Sequence, residues 1–260
     1  MKISAEAILV ILLTLKITEY DGNDKFTTDS KMGSVKLVVK LPDEMELLPV
    51  GVIYRSNVCH KKRYNSDGKS YTEPGFKYTK IQLKKEKNGS DYSSLVPSDG
   101  GGQCDWKLSN VTIDIQYRAD AFKGKVDHVV GSGIIVIFDD NHPQRDDGVY
   151  EDVTGDLLIS KRYFPWINER FLNGHSRDLW TYSKRLYSTY KTKNTYKILF
   201  APESNSDLIT YSIGPKVKNE SGGNFTRYIY PDGEVVNNGD AFPDFNKLEN
   251  ISSRHSKKFN

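Results

Sequence analysis

Residues 100–140, GGGQCDWKLSNVTIDIQYRADAFKGKVDHVVGSGIIVIFDD, are the stretch on which the fold turns. Val111, Ile113, Ile115 and Tyr117 alternate with polar residues, the period-two pattern of a strand that buries one face. After a polar turn around Lys123 and the triplet Gly131-Ser132-Gly133, residues 134–138 (IIVIF) run without a polar side chain. A run this short and this rich in β-branched residues predicts a fully buried strand. The two strands should lie side by side, antiparallel, at the centre of a sheet, with Cys104 at the mouth of the first. The glycines flanking Ser132 point to a bulge or a close approach of backbones. They do not sit on the strand-to-helix turn that a catalytic serine or a phosphate cradle requires.

On the N-terminal side, residues 35–41 (VKLVVKL), 50–54 (VGVIY) and 78–83 (YTKIQL) predict strands. Residues 59–70 (CHKKRYNSDGKS) read as a basic loop or hairpin tip, turned by Asp67-Gly68. Residues 84–102 read as a long surface connection. On the C-terminal side, residues 139–156 are acidic and turn-rich, and short strands are predicted at 157–160, 196–200, 208–213 and 225–230. Residues 163–172 (YFPWINERFL) predict the one helix, with Pro165 in its first turn and Asn173-Gly174 as its stop. Residues 251–260 are polar and should fray. The resulting fold is mainly β: an antiparallel β-sandwich, or two small β domains, with one short helix. The expected organisation is a signal-like segment over 1–20, a polar leader over 21–34, a disulfide-closed β domain over 35–140 and a second β-rich lobe over 141–260.

The 260 residues include 16 Tyr and 11 Phe, an aromatic content that suits sheets. Thirty-seven Lys and Arg stand against 34 Asp and Glu, so composition offers no reason to invoke nucleic acid. Lys2 precedes the apolar residues 7–15 (AILVILLTL). That stretch is too short for a membrane span, which needs roughly 20 residues, and fits the apolar core of an export signal or a tether to the membrane. Cys59 and Cys104 are the only cysteines. An even count behind an export signal predicts one disulfide, which for a loop of this size contributes on the order of 4 kcal/mol. Two cysteines without further ligands cannot complete a zinc site, and no cofactor is implied.

Two charged clusters are candidates for partner binding: the basic run Lys61, Lys62, Arg63 and Tyr64, and the acidic loop with Asp139, Asp140, Asp146 and Asp147. The spacing of Asp146, Gly148 and Glu151 is not that of a calcium loop. No HExxH or GxSxG occurs. Five Asn-x-Ser/Thr sequons start at Asn88, Asn110, Asn219, Asn224 and Asn250.

Several stretches together resemble a family: LPDEMELLPVGVIYRSNVC (41–59), DGGGQCDWKLSNVTIDIQY (99–117), VVGSGIIVIFDDNHPQR (129–145), GDLLISKRYFPWINERF (155–171), and YSIGPKV with YPDG (211–217, 230–233). They are similar to exported, often lipid-anchored enterobacterial proteins that accompany type VI secretion phospholipase effectors and act as their immunity partners. The resemblance implies a non-enzymatic periplasmic protein that binds and neutralises a cognate lipase or phospholipase toxin. It departs from a lipoprotein pattern at Leu15-Lys16-Ile17, where no cysteine follows the apolar stretch. Two other readings stay open on the residues alone. One is a secreted hydrolase that uses His142 with the Asp139 and Asp140 carboxylates; the other is a surface- or carbohydrate-binding β module with exposed Tyr and Trp.

Overall fold

The central pair forms where the sequence predicts it. The computed structural model describes residues 18–19, 33–87, 89, 91–141, 148–218, 220–223 and 225–256. In it Trp106–Tyr117 and Ser132–Ile137 run antiparallel, with Ile113 opposite Ile134 and Val111 opposite Val136. Every residue of Ser132–Ile137 is buried. The flanking glycines are explained by proximity: a Cβ on Gly133 would collide with the Ile113 carbonyl oxygen, and one on Gly131 would stand 2.9 Å from that of Ile115.

Around this pair a first sheet builds outward. On one side the 15-residue strand Val50–Tyr64 joins Trp106–Tyr117 and turns back as Ser70–Ile81. On the other, Tyr187–Lys193 pairs parallel with Ser132–Ile137, and Tyr150–Thr154 pairs parallel with Tyr187–Lys193. The second sheet centres on Leu157–Arg170. Its first half pairs parallel with Lys197–Ser204, followed by Ser34–Lys40 and Asp91–Pro97. Its second half pairs with Ser176–Tyr182 and Thr210–Ile213. The architecture is thus mainly β, with two packed sheets as in a β-sandwich.

Both sheets are mixed rather than antiparallel throughout. Between Ser132–Ile137 and Tyr187–Lys193 the chain visits the other layer and comes back, and such a crossover returns the strand in the same direction. Strands from either side of residue 140 occur in both sheets, so the expected 140/141 boundary runs through the sheets. The main core joins Val35, Leu37 and Val39 to Ile159, Ile198 and Phe200.

Residues 163–172 are not a helix. Residues 163–170 continue the strand Leu157–Arg170, and Pro165 lies next to the point where that strand changes partners. Tyr163 and Ile167 face the main core, whereas Phe164 and Trp166 face a second one, so the segment is buried on both sides and shows no strand alternation. The helix is instead Phe245–Ser256. Asp244 caps it, accepting the Asn246 and Lys247 amides at 2.9 and 3.2 Å. Leu248 and Ile251 then close the second core. Residues 59–70 extend the hairpin strands on either side of a turn at 65–69, and Asp91–Pro97 is a strand inside the expected surface connection. Of the signal-like segment and leader, 1–17, 20 and 21–32 lie outside the described residues; Thr18–Glu19 pairs with Cys59–His60. Among the described residues no helix is long and apolar enough to cross a membrane.

Candidate functional site

Trp106–Tyr117 accompanies Val50–Tyr64 only as far as Arg55. Beyond that point the hairpin projects, and its base is pinned. Cys59 is disulfide-bonded to Cys104, with Cα atoms 5.2 Å apart. The pairing slips between Ser56 and His60, leaving a bulge. The Ser56 hydroxyl organises it, accepting the Cys59 amide at 2.9 Å and the Val58 amide at 3.1 Å and donating to the Cys104 carbonyl. Gly75 is required opposite, because a Cβ there would stand 2.6 Å from the Cys59 carbonyl oxygen and 3.4 Å from the Trp106 ring. A disulfide, a bulge and a buried indole therefore hold the projecting half of the hairpin against the sheet.

Lys61, Lys62, Arg63 and Tyr64 lie on this projecting strand rather than in a loop. Strand geometry sends their side chains alternately to the two faces. The Lys61 ammonium sits 5.0 Å from the centre of the Phe76 ring and the Lys62 ammonium 5.8 Å from that of Tyr64. Arg63 donates to Glu73 at 2.6 Å. Tyr64, Tyr71, Phe76 and Tyr78 are all exposed, Tyr64 by 65%. Residues 50–81 hold seven Lys or Arg side chains against only Asp67 and Glu73, although the whole chain carries a net charge of +3. The hairpin therefore carries more positive charge than the chain as a whole, and the remainder is slightly acidic.

The acidic candidates are placed differently. Asp139 closes its own turn, accepting the Asn141 backbone and side-chain amides at 2.8 and 2.9 Å. Asp140 accepts from Lys191 at 2.6 Å. Asp146, Asp147 and His142 lie outside the described residues. The structure does bring the two regions toward one feature. Arg63 and Asn141 both line a groove of about 830 Å³ over the outer face of the first sheet. Its floor includes Gly51, Ile53, Thr112 and Ile135, and the Tyr78 ring lies 3.2 Å from where a Gly51 Cβ would be.

Sequence reasoning missed Lys161, on the core side of Leu157–Arg170. Its ammonium donates to the carbonyls of Arg185 at 2.7 Å, Gly133 at 3.3 Å and Leu186 at 3.4 Å, tying the second sheet to the first. Burial, together with the nearby Arg185 charge, pushes it down to about 7. Ser132 is fully buried and donates to the same Leu186 carbonyl. The lysine and serine thus organise the 184–186 turn, and a buried hydroxyl committed to a carbonyl is not placed to attack a substrate. Trp106 and Trp166 are buried and Trp180 is half-buried, so no indole among them is fully exposed. The sequon at Asn110 is buried within the sheet, its amide donating to the Asn141 carbonyl at 3.1 Å. Among the described residues no cluster of three or more His, Cys, Asp or Glu side chains is placed to hold a metal. Searches with family models, curated proteins and solved structures return no match to this chain.

Proposed function

We propose that this chain is a non-enzymatic, exported immunity protein that binds and neutralises a secreted phospholipase toxin, with the hairpin 50–81 as its recognition surface. The observation that carries the reading is this projecting, disulfide-pinned hairpin, which keeps aromatic and cationic side chains in water. Pinning reduces the entropy lost on binding, and exposed Tyr, Phe and Arg are the residue types that anchor protein interfaces. The surplus positive charge selects an acidic partner surface and speeds encounter with it. The Cys59–Cys104 bond fits an oxidising compartment such as the periplasm. Residues 7–15 would serve as export signal or membrane tether. The resemblance of residues 41–59, 99–117 and 129–145 to the immunity partners of phospholipase effectors supports a phospholipase as the toxin.

The test is to look for a lipase gene beside this one and to co-express the two proteins, followed by pull-down and a growth assay. Stable binding and protection from the toxin are expected. Reversal of Lys61 and Lys62 to Glu should slow association and reduce its sensitivity to salt. A purified protein that binds no such lipase and protects no cell would end the immunity reading. Hydrolysis that disappears in His142→Ala would replace it with the enzyme reading.

A further inference from the structure

The outer groove of the first sheet contains two cations that no carboxylate among the described residues pairs with. Arg55 is half-buried on the groove wall, and its Nε donates to the Ser109 hydroxyl at 3.2 Å. No carboxylate among the described residues pairs with it. Lys80, four residues along the facing strand from Phe76, the partner of Arg55, likewise has no acidic partner among the described residues. The acids in the groove are already engaged: Glu73 with Arg63 at 2.6 Å, and Asp114 with the Tyr187 phenol at 2.6 Å. Between the two cations lies apolar surface. Ile53 and its cross-strand partner Tyr78 lie between them, and Phe76 stands opposite Arg55, whereas Ile135, 1% exposed, lies beyond Trp106–Tyr117 on the groove floor.

We propose that this groove receives an extended acidic segment of the protein partner. One of its carboxylates sits on the Arg55 guanidinium, a second on Lys80, and an apolar side chain between them rests on Ile53 and Tyr78. This rests on the protein-binding reading above and adds where, and by what chemistry, the partner is held. A guanidinium offers two parallel donors that match a carboxylate, and partial burial strengthens the pair. A nucleic acid strand is a poorer occupant, because its unbroken row of phosphates would pass the Glu73 and Asp114 carboxylates and an apolar floor. A segment with carboxylates only at the ends of an apolar contact meets neither penalty.

The experiment is selection of a random phage-displayed peptide library on the oxidised full chain, followed by titration of the enriched peptide. Enriched sequences should carry Asp or Glu flanking an aliphatic or aromatic residue. Arg55→Gln should weaken the peptide about tenfold or more, with partial recovery in Arg55→Lys. Lys80→Gln, at an exposed position that cannot unfold the chain, should weaken it several-fold. Lys193→Gln, on the far side of the first sheet from the hairpin, should leave it unchanged. Selection without acidic residues, affinity indifferent to Arg55→Gln and Lys80→Gln, or tighter Arg55-dependent binding of oligothymidylate would overturn the proposal. The two readings fail separately. A toxin that binds Arg55→Gln and Lys80→Gln as tightly as the parent sinks the groove and spares immunity. Acidic peptides that need Arg55, alongside a lipase that does not bind, do the reverse.

Discussion

The hairpin 50–81 and the unit beneath the C-terminal helix are both dense in aromatic side chains, yet one leaves them in water and the other buries them. Tyr64, Tyr71, Phe76 and Tyr78 are exposed, whereas Phe164, Trp166, Tyr228 and Tyr230 are buried. The difference is a covering layer. Phe245–Ser256 lays Leu248 and Ile251 over the second cluster. The hairpin runs past the last residue at which Trp106–Tyr117 supports it, and no such layer lies over its aromatic face among the described residues. Burying an aromatic ring contributes to stability in proportion to the apolar area removed from water. A ring left exposed contributes little to folding and stays available to a partner.

Four measurements can break or sharpen this contrast. The largest effect belongs to Trp166, whose ring centre lies 5.0 Å from that of Trp180 and 5.7 Å from that of Tyr182, and whose Nε1 donates to Ser212 at 2.7 Å. Trp166→Ala should cost about 3–5 kcal/mol in urea unfolding. A loss below about 1 kcal/mol would mean that the second cluster is not a folding core. Next comes the hairpin's anchor. Replacing Cys59 and Cys104 with Ser should cost about 2–4 kcal/mol, with faster amide exchange in residues 56–75 than in 132–137; uniform acceleration would deny the hairpin its separate anchoring.

The third effect is a pH dependence. Lys161 is held near 7 in the folded chain and returns to about 10.4 when unfolded. Between those values the unfolded chain binds one more proton, so stability should rise from about pH 7 towards pH 10. Above that, Tyr54, Tyr182 and Tyr228, pushed up to about 12 by burial, reverse the trend, because the unfolded chain then loses its protons first. Thermal melts of Lys161→Met should lack the rise between pH 7 and 9, and an unchanged profile would assign it to other groups. The smallest effect is expected on the hairpin. Tyr71→Ala and Tyr64→Ala should each change stability by less than about 0.5 kcal/mol, and a larger loss in either would show that the exposed aromatics serve the fold.

How far the sequence could be read depended on how each segment is buried. Residues 111–117 face one core and alternate, so their period was visible, and residues 134–138 carried the continuous apolar signature of a strand covered on both faces. Within that run Ile134 and Val136 point into the main core, while Ile135 floors the outer groove; no one-dimensional pattern distinguishes the two faces of a run that is apolar throughout. Residues 163–172 misled for the same reason, since burial against two cores leaves no period and Pro165 mimics a helix start. The true helix, FNKLENISSRHS, turns only a narrow stripe inward and is polar elsewhere. At the candidate site, the cationic run 61–64 could be read directly. Arg55, 6 residues before it and at the end of the apolar run 50–54, could not, because its meaning depends on a groove assembled from four strands.

By itself, the sequence determined the β-rich class, the central antiparallel pair, the two cysteines available for a disulfide and the concentration of positive charge in residues 50–81. These follow from local terms: side-chain period, β-branching, turn residues and charge count. Only the tertiary structure decided which strands run parallel, that both sheets draw on both halves of the chain, and which aromatic clusters are covered. It also decided that Asp139 and Asp140 are engaged within the fold while Arg55 and Lys80 are left without acidic partners among the described residues. Pairing direction, cover and neutralisation are set by contacts between residues tens of positions apart, whose energies no local window contains.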